Sequence, residues 1–389
     1  MDITVQREAL LKPLQAVSSI IEKKQVQPIL SNVLLTRPND NSLLLTGTDL
    51  EVKLIGKVSI ASSATLLPDQ ESTQNASSLT SESITVSARK LFDICRTLPE
   101  GSILRLFSEK NNLVVRTENS CFTLNTLPAH DFPNLEESAY PVQFHLPQQQ
   151  LKNLLTKTYF AMAQQDVRHF LNGVFIDINQ GVIKCVAADG HRLALATMQD
   201  ERMAAIKTQI ILPRKSVLEL IRLLNDNEDE VALHMSDNRF CMITPDYTFI
   251  SKLINAQYPD YQRLIPKGNM MAIGDRETIK QALIRASILS NEKFRGVRFQ
   301  LQVNKLCITA NNADQEQAEE AIALNYAGSE IEIAFNVAYL LDIVSAIATK
   351  NIRCAFTGAN EGVSIEPLEV DGEDAGVSDS TYVVMPMRL

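Results

Sequence analysis

Helical and strand-like spacings of apolar residues alternate along this chain. Apolar residues recur at i, i+3, i+4 and i+7 within residues 91–98, 217–224 and 340–347. This spacing predicts helices that each bury one stripe against a core. Strict alternation of apolar and polar residues, as in 299–303 and 331–335, predicts half-buried strands.

The same order of elements occurs three times. A helix-like stretch at residues 8–14 recurs at 149–155 and 277–283, and each copy continues into a strand. A later apolar strand ends in small residues and then an Asp or Asn, which is Asp49, Asp189 or Asn312. A second strand-to-helix passage follows, and Ser87 and Asn336 suit the N-cap positions of its helix. A chain that repeats such a unit is built from similar domains.

Each copy predicts an α+β domain in which two helices cover one side of an antiparallel sheet. We place the domains at residues 1–140, 141–261 and 262–389. The first carries an inserted Ser/Thr-rich loop at about 61–83, and the third carries an acidic insertion at about 368–380.

Composition excludes several classes of protein. The chain has 389 residues, of which 45% are hydrophobic and 21% charged, as in soluble globular proteins. No apolar run reaches the length of a membrane span, and the first residues lack the layout of a signal peptide. Six scattered cysteines without a Cys-x-x-Cys pair predict reduced thiols in a cytoplasmic protein. The five histidines show no zinc-ligand spacing, so we expect neither metal nor cofactor.

Charge is distributed unevenly. The segments predicted to be helical are net positive by +11 in a chain of net charge −9, so the rest carries −20. These segments are residues 7–24, 88–98, 147–169, 214–224, 276–295 and 337–350. One positive helix is usually only a solvated face, but five positive segments in an acidic chain favour a basic surface. Such a surface attracts phosphates without reading base sequence.

The three copies and four local motifs together resemble a known family. The motifs are Asp-Gly-His-Arg-Leu at 189–193, Pro-Asp-Tyr at 259–261, Ser-Asn-Glu-Lys-Phe-Arg-Gly-Val at 290–297 and the terminal 382–389. With the triplicate pattern they closely resemble the β sliding clamps of bacterial DNA polymerase III, nearly end to end. The resemblance implies a non-catalytic processivity factor in DNA replication, a head-to-tail homodimeric ring around duplex DNA. It also implies a clamp loader that opens the ring with ATP, and polymerases that bind through short peptides.

The resemblance implies three sets of site residues. The partner-peptide pocket, between the second and third domains, comprises Leu171, Gly190, His191, Arg192, Leu193, Pro259, Arg263, Leu264, Phe294, Asn336, Tyr339, Met385, Pro386, Met387, Arg388 and Leu389. The DNA-contacting set is Lys24, Arg89, Lys90, Gln165, Arg168, His169, Phe170, Arg214 and Lys215. The dimer interface comprises Lys90, Phe122, Leu124, Ile288, Leu289, Asp314, Glu316, Glu319 and Glu320.

The interface departs from the family pattern. Asn112, Asn119 and Cys121 occupy positions where relatives carry basic side chains, so we expect ring closure to depend less on salt than in those relatives. Two other functions were weighed. An enzyme would need a nucleophile, phosphate loop or metal spacing, and the sequence shows none of these. A three-repeat protein-binding scaffold that does not encircle DNA stays open as the alternative.

Overall fold

The computed structural model describes residues 1–21, 27–38, 41–60, 82–134, 139–369 and 379–388. Most of the two predicted insertions, residues 61–81 and 370–378, therefore lies outside the described residues. The α-helices of the described part are α1 (Arg7–Ile20), α2 (Ala88–Thr97), α3 (Gln148–Thr156), α4 (Arg214–Leu223), α5 (Arg276–Ile288) and α6 (Val337–Ala346).

Twenty-five strands are assigned in the described residues. Those of the first copy are β1 (Asp2–Gln6), β2 (Asn32–Arg37), β3 (Ser42–Thr48), β4 (Val52–Ser59), β5 (Glu82–Ser87), β6 (Ile103–Glu109), β7 (Asn112–Arg116) and β8 (Cys121–Leu127). Those of the second are β9 (Val142–Pro147), β10 (Gly173–Asn179), β11 (Val182–Ala188), β12 (Arg192–Gln199), β13 (Lys207–Pro213), β14 (Glu230–Met235), β15 (Arg239–Ile243) and β16 (Tyr247–Lys252). Those of the third are β17 (Met270–Asp275), β18 (Gly296–Gln302), β19 (Lys305–Asn311), β20 (Gln317–Ala323), β21 (Asn325–Tyr326), β22 (Ile331–Asn336), β23 (Asn351–Phe356), β24 (Val363–Leu368) and β25 (Ser380–Val384).

The chain divides into two compact units. The first is Met1–Pro147 with Glu228–Lys252, and the second is Gln148–Asn227 with Leu253–Leu389. The first unit holds one twelve-stranded sheet in the order β1-β6-β7-β8-β5-β2-β3-β4-β16-β15-β14-β9. The second holds a nine-stranded sheet, β13-β10-β11-β12-β25-β24-β23-β17-β21, and a four-stranded sheet, β20-β19-β18-β22. All of the pairings are antiparallel, so the α+β class is confirmed.

The helices pack in pairs, one pair for each copy. α1 packs on α2 and on β3 and β4, and α3 packs on α4 and on β11 and β12. In the third copy α5 packs on α6 and on β19 and β20. Two helices on equivalent strands in each copy confirm the predicted triplication.

The predicted N-cap residues of two helices are confirmed. The Ser87 hydroxyl accepts a hydrogen bond from the Lys90 amide, and the Asn336 side chain accepts one from the Ala338 amide. The predicted helix at 147–169 was too long, because α3 ends at Thr156. The Thr158 hydroxyl donates to the Leu154 carbonyl, 3.0 Å away, and closes that end. Gln165 has a φ of +55°, which no helix can continue.

The core explains the cysteines. Cys95 and Cys185 are fully buried, and burial raises the pKa of each thiol to about 12, so neither ionises near neutral pH. Cys121, in contrast, is exposed on β8. Among the described residues, no helix combines the length and the apolar character that crossing a bilayer requires.

Candidate functional site

The site is built where β12 meets β25. Leu193 pairs with Val383 and Arg192 with Val384, so the last strand of the chain joins the second copy to the third. Immediately after this pairing, the Met385 amide donates to the His191 carbonyl over 2.8 Å. The backbone of the terminal segment is therefore held against the turn that precedes β12.

That turn is shaped by Asp189. Its Oδ1 accepts hydrogen bonds from the amides of His191 (2.9 Å) and Arg192 (3.0 Å). Gly190 lies between them with a φ of +91°, and a Cβ there would come 2.9 Å from Nη2 of Arg168. Glycine adopts this φ without the strain that a side chain would bring.

Arg192 anchors the site. Its Nε donates to Asp189 Oδ2 (3.1 Å), its Nη1 to Asp342 Oδ2 (2.6 Å) and its Nη2 to the Phe160 carbonyl (2.6 Å). The guanidinium also lies 4.4 Å from the centre of the Tyr339 ring. One side chain thus ties the hairpin turn to α6, and burial raises the pKa of the neighbouring Tyr339 phenol.

We expect Arg192→Ala to lower the free energy of unfolding by about 2 kcal/mol, because two carboxylates and a carbonyl lose their donor. The Arg192 side chain is only 10% exposed, whereas that of Arg263 is 84% exposed and pairs with Asp260. Arg263→Ala is therefore the control, with an expected loss under about 0.5 kcal/mol. Urea unfolding measures both, and equal losses would contradict the anchoring role.

The floor of the site is apolar. Leu171, Phe175, Leu193, Tyr261 and Val383 are buried in one cluster. Tyr258 covers this cluster from the side, since its ring stacks on Phe175 with a centroid distance of 4.6 Å. Burial raises the pKa of the Tyr258 phenol, whose hydroxyl has no hydrogen-bond partner among the described residues. Aromatic and aliphatic side chains of a ligand would find a matching surface here.

Three of the predicted pocket residues are exposed and apolar. Leu264, Phe294 and Met385 are large apolar side chains that the chain leaves exposed. The His191 ring stacks on Tyr339 with a centroid distance of 6.1 Å. The Met387 amide donates to the Ala334 carbonyl over 2.7 Å, which fixes the terminal segment along β22. This surface can bind an apolar peptide, and the flexible methionine can adapt to it.

The second unit contains every described residue of the predicted pocket, and the terminal Leu389 lies outside the described residues. Sequence reasoning missed Tyr258, Phe160 and Asp342. The Tyr-Pro-Asp-Tyr motif at 258–261 was a signal for Tyr258. No local signal could have found Asp342, which lies 150 residues from Arg192.

The predicted DNA-contacting residues fall into two groups. Arg89 and Lys90 are exposed on the first turn of α2, and Gln165, Arg168 and His169 are exposed on the loop after α3. Phe170, Arg214 and Lys215 are half-buried, and Lys24 lies outside the described residues.

Several members of that set already have structural contacts, among them Arg89, whose Nε lies 3.8 Å from Asp93 Oδ2. Hydrogen bonds from Arg168 hold the pKa of Asp166 at about 2. The Phe170 ring packs edge-on against Tyr258, 6.0 Å between centroids. Arg214 is half-buried, donates to the Met162 carbonyl (3.3 Å), and has a pKa lowered by burial.

The predicted interface residues are exposed to different degrees. Ile288 is 73% exposed at the end of α5, whereas Leu124 is buried within the chain. Nε and Nη2 of Arg285 each donate a hydrogen bond of 2.7 Å to Glu320, which holds the pKa of that carboxyl below its usual value. Glu316 accepts a hydrogen bond from Asn312 (2.6 Å). Glu319 accepts one from the Cys307 thiol (3.7 Å). Three of the four predicted acidic side chains therefore have partners in their own chain.

Known proteins resemble the chain over its full length. Family models described as the DNA polymerase III beta subunit match residues 1–136 (N-terminal domain), 145–260 (central domain) and 262–388 (C-terminal domain). Proteins named beta sliding clamp from Pseudomonas putida and Escherichia coli are 44% and 42% identical, with 100% of both chains covered.

Solved structures agree. A DnaN sliding clamp of Pseudomonas aeruginosa, solved with bound griselimycin, has a TM-score of 0.89 and 43% identity over 100% of both chains. The pol III beta of Caulobacter crescentus has a TM-score of 0.86 at 30% identity, again over 100% of both chains. The chain therefore belongs to the family of DNA polymerase III beta subunits, the beta sliding clamps.

Proposed function

We propose that this chain is a non-catalytic DNA sliding clamp, a processivity factor that closes into a head-to-tail homodimeric ring around duplex DNA. One observation carries the ring. In two of three equivalent places, a strand of one copy pairs with the last strand of the next copy. In the third place the corresponding strands are β20 and β8, and within the described residues these two do not pair. Closure by a second chain satisfies all three places.

The two filled places have the same register. β4 pairs with β16, where Val52 faces Ser251, and β12 pairs with β25, where Arg192 faces Val384. We call these pairings the first joint and the second joint. β20 is the strand of the third copy that corresponds to β4 and β12, and in the described residues it is the edge of its sheet.

β8 is the matching open strand. It pairs along its length with β7, but with β5 only through Thr126 and Leu127. Its turn repeats that of β16, because the Thr117 amide donates to the Ser120 carbonyl as the Thr244 amide does to that of Tyr247, both over 2.8 Å. An open edge on each unit, in equivalent elements, supports pairing of β20 with β8 of a second copy.

The repeated register predicts which residues face each other in the seam, the proposed pairing of β20 with β8 of a second copy. The Asn312 amide donates to the Glu316 carbonyl as the Asp49 amide does to that of Val52, so Glu316 corresponds to Val52. By the same count Ser251 corresponds to Leu124. Applied to β20 and β8, this register sets Glu319 opposite Cys121 of the partner subunit.

This register predicts that Cys121→Arg strengthens the ring. An exposed cross-strand ion pair with Glu319 contributes about 0.5 kcal/mol, so two seams together gain about 1 kcal/mol. We expect a roughly fivefold lower dimer dissociation constant at low salt, and little gain at high salt. Sedimentation over a salt series measures both.

Thr123→Arg is the matched control, because residue 123 would face the uncharged Gln317. Thr123→Arg should lower the dimer dissociation constant less than Cys121→Arg does. An equal decrease for both variants would show that the predicted register is wrong. The sequence predicts that ion pairs contribute little to the interface of the unsubstituted protein. A steep rise of its dimer dissociation constant with salt would contradict that prediction.

Basic helices support the DNA surface. The six helices carry a net charge of +7, so the rest of the chain carries −16. We propose that Lys24, Arg89, Lys90, Gln165, Arg168, His169 and Lys215 contact phosphates, with Phe170 and Arg214 fixing the loop and helix that present them. Weak phosphate contacts suit sliding, since a ring retains DNA by its topology.

We further propose that the site at the second joint takes leucine- and phenylalanine-bearing peptides of the replicative polymerase and other partners. A clamp loader would use the same site when it opens the ring. The exposed Leu264, Phe294 and Met385, which belong to the same unit as the buried apolar cluster, support this use. A role in DNA replication places the protein in the cytoplasm. We propose three domains at residues 1–140, 141–261 and 262–389, and the matched family ranges support that division.

Loading onto nicked circular DNA tests the function. With a clamp loader and ATP, the protein should stay on closed circles through gel filtration and should leave after a restriction cut makes the DNA linear. A clamp that stays equally on linear DNA would bind by contact alone. A protein that never stays on circles would favour the scaffold without DNA encirclement.

A further inference from the structure

A short loop after α3 carries three of the proposed DNA-contacting residues, Gln165, Arg168 and His169. Apolar packing does not hold the tip of this loop, because Val167 is 89% exposed. Gln165 has a φ of +55°, a region that residues with side chains rarely adopt. Polar contacts must therefore keep the loop in its conformation.

The side-chain amide of Asn172 provides two of these contacts. Its Oδ1 accepts a hydrogen bond from the Asp166 amide (2.9 Å), and its Nδ2 donates one to the Asp166 carbonyl (2.8 Å). We call this pair of hydrogen bonds the Asn172 clamp. An amide side chain carries both a donor and an acceptor, so one residue fixes both backbone groups of Asp166, between Gln165 and Arg168.

The backbone of Asn172 ties the same loop to α4. Its carbonyl accepts from the amide of Arg214, the first residue of α4, over 2.9 Å, and its own amide donates to the His169 carbonyl over 3.0 Å. The Asp166 carboxylate in turn accepts from Nε (3.0 Å) and Nη2 (2.9 Å) of Arg168. The loop and the start of α4 are thus joined through Asn172.

We infer that Asn172 is a positioning residue for DNA, which holds the loop and the start of α4 so that Arg168, His169 and Lys215 contact phosphates together. This inference rests on the proposed function as a DNA clamp. Asn172 is half-buried and acts through the residues it holds. A loop that is ordered before it meets DNA loses less conformational entropy on contact than a mobile loop does.

Asn172→Ala tests this, because alanine removes the clamp and keeps both backbone hydrogen bonds of residue 172. Binding of the full chain to a fluorescently labelled linear DNA duplex is followed by anisotropy over a salt series, and the slope of log affinity against log salt counts the phosphates contacted. We expect about tenfold weaker binding at low salt and a slope smaller by about 1. Hydrogen exchange at the Asp166 amide should become at least tenfold faster.

Gln148→Ala is the matched control. Gln148 is a buried side-chain amide of the same unit, and its Oε1 accepts from the Asn225 amide over 3.0 Å. Its loss should lower the melting temperature and leave the salt slope unchanged. Asn172→Ser, whose hydroxyl is too short to bond both backbone groups of Asp166, replaces the alanine variant if thermal melting shows that variant to be unfolded. A salt slope that stays the same in the folded Asn172 variant, or falls equally in the control, overturns the inference.

A triple variant, Gln165→Ala with Arg168→Ala and His169→Ala, separates positioning from a general structural role. It should weaken DNA binding by itself, and Asn172→Ala added to it should cause no further loss. A further loss as large as in the unchanged chain overturns this inference alone, because Asn172 would then act without the loop. A triple variant that binds DNA as the unchanged chain does overturns the proposed loop contacts and this inference with them.

Discussion

Alanine at both Ile288 and Leu289 is expected to convert the dimer into monomers at micromolar concentration. Ile288 is 73% exposed in the single chain and follows the exposed Ile284 by one helical turn, so α5 offers an apolar stripe beside the edge strand β20. Truncation to alanine removes about 2 kcal/mol of apolar burial from each seam. A ring has two seams, so about 4 kcal/mol is lost, roughly a thousandfold in dissociation constant.

Sedimentation velocity of the double variant measures this effect, and Val303→Ala is the matched control. Val303 is 67% exposed in the turn between β18 and β19. Its truncation removes a smaller exposed apolar surface and should leave the dimer unchanged. If the double variant still sediments as a dimer, the seam lies elsewhere.

Removal of residues 385–389 is expected to abolish peptide binding and to leave the ring intact. The terminal segment contributes Met385 to the wall of the site, and its amides bond the carbonyls of His191 and Ala334. β25 ends at Val384, so the pairing with β12 survives the truncation. We expect the affinity for a leucine- and phenylalanine-bearing peptide to fall at least a hundredfold in calorimetry.

A finer comparison separates this loss from a general effect of exposed methionines. Met385 and Met271 are both 44% exposed, but Met271 lies on β17, away from the site. Met385→Ala should weaken peptide binding about tenfold, and Met271→Ala should not change it. Unchanged affinity after the truncation would refute the site.

The fold was largely predictable because its signals are local. Helical spacing located the stripes of α2, α4 and α6, and the side chains of Ser87 and Asn336 marked where two of these helices begin. Helix ends were less certain. The hydroxyl of Thr158 and the positive φ of Gln165 end the helical stretch that composition alone would continue.

The proposed peptide site was only partly predictable. The resemblance supplied Gly190, His191 and Arg192, but not the partners that hold them. Asp342 reaches Arg192 from another copy of the repeat, and Tyr258 stacks on Phe175 from a distant segment. Residues assigned to DNA contact also turned out to have second roles, since Arg168 fills the space beside Gly190.

Periodicity, caps and repetition were enough to establish three α+β copies, their element order and the cationic character of most helices. Such signals report which face of each element is buried, and that depends on near neighbours in the chain. Only the tertiary structure revealed which strands pair across the copies, namely β4 with β16 and β12 with β25. It also revealed the open edges of β8 and β20 and the Arg285–Glu320 ion pair. Hydrogen bonds between strand edges use the same backbone groups whatever the side chains, so the residues alone do not say which edges meet.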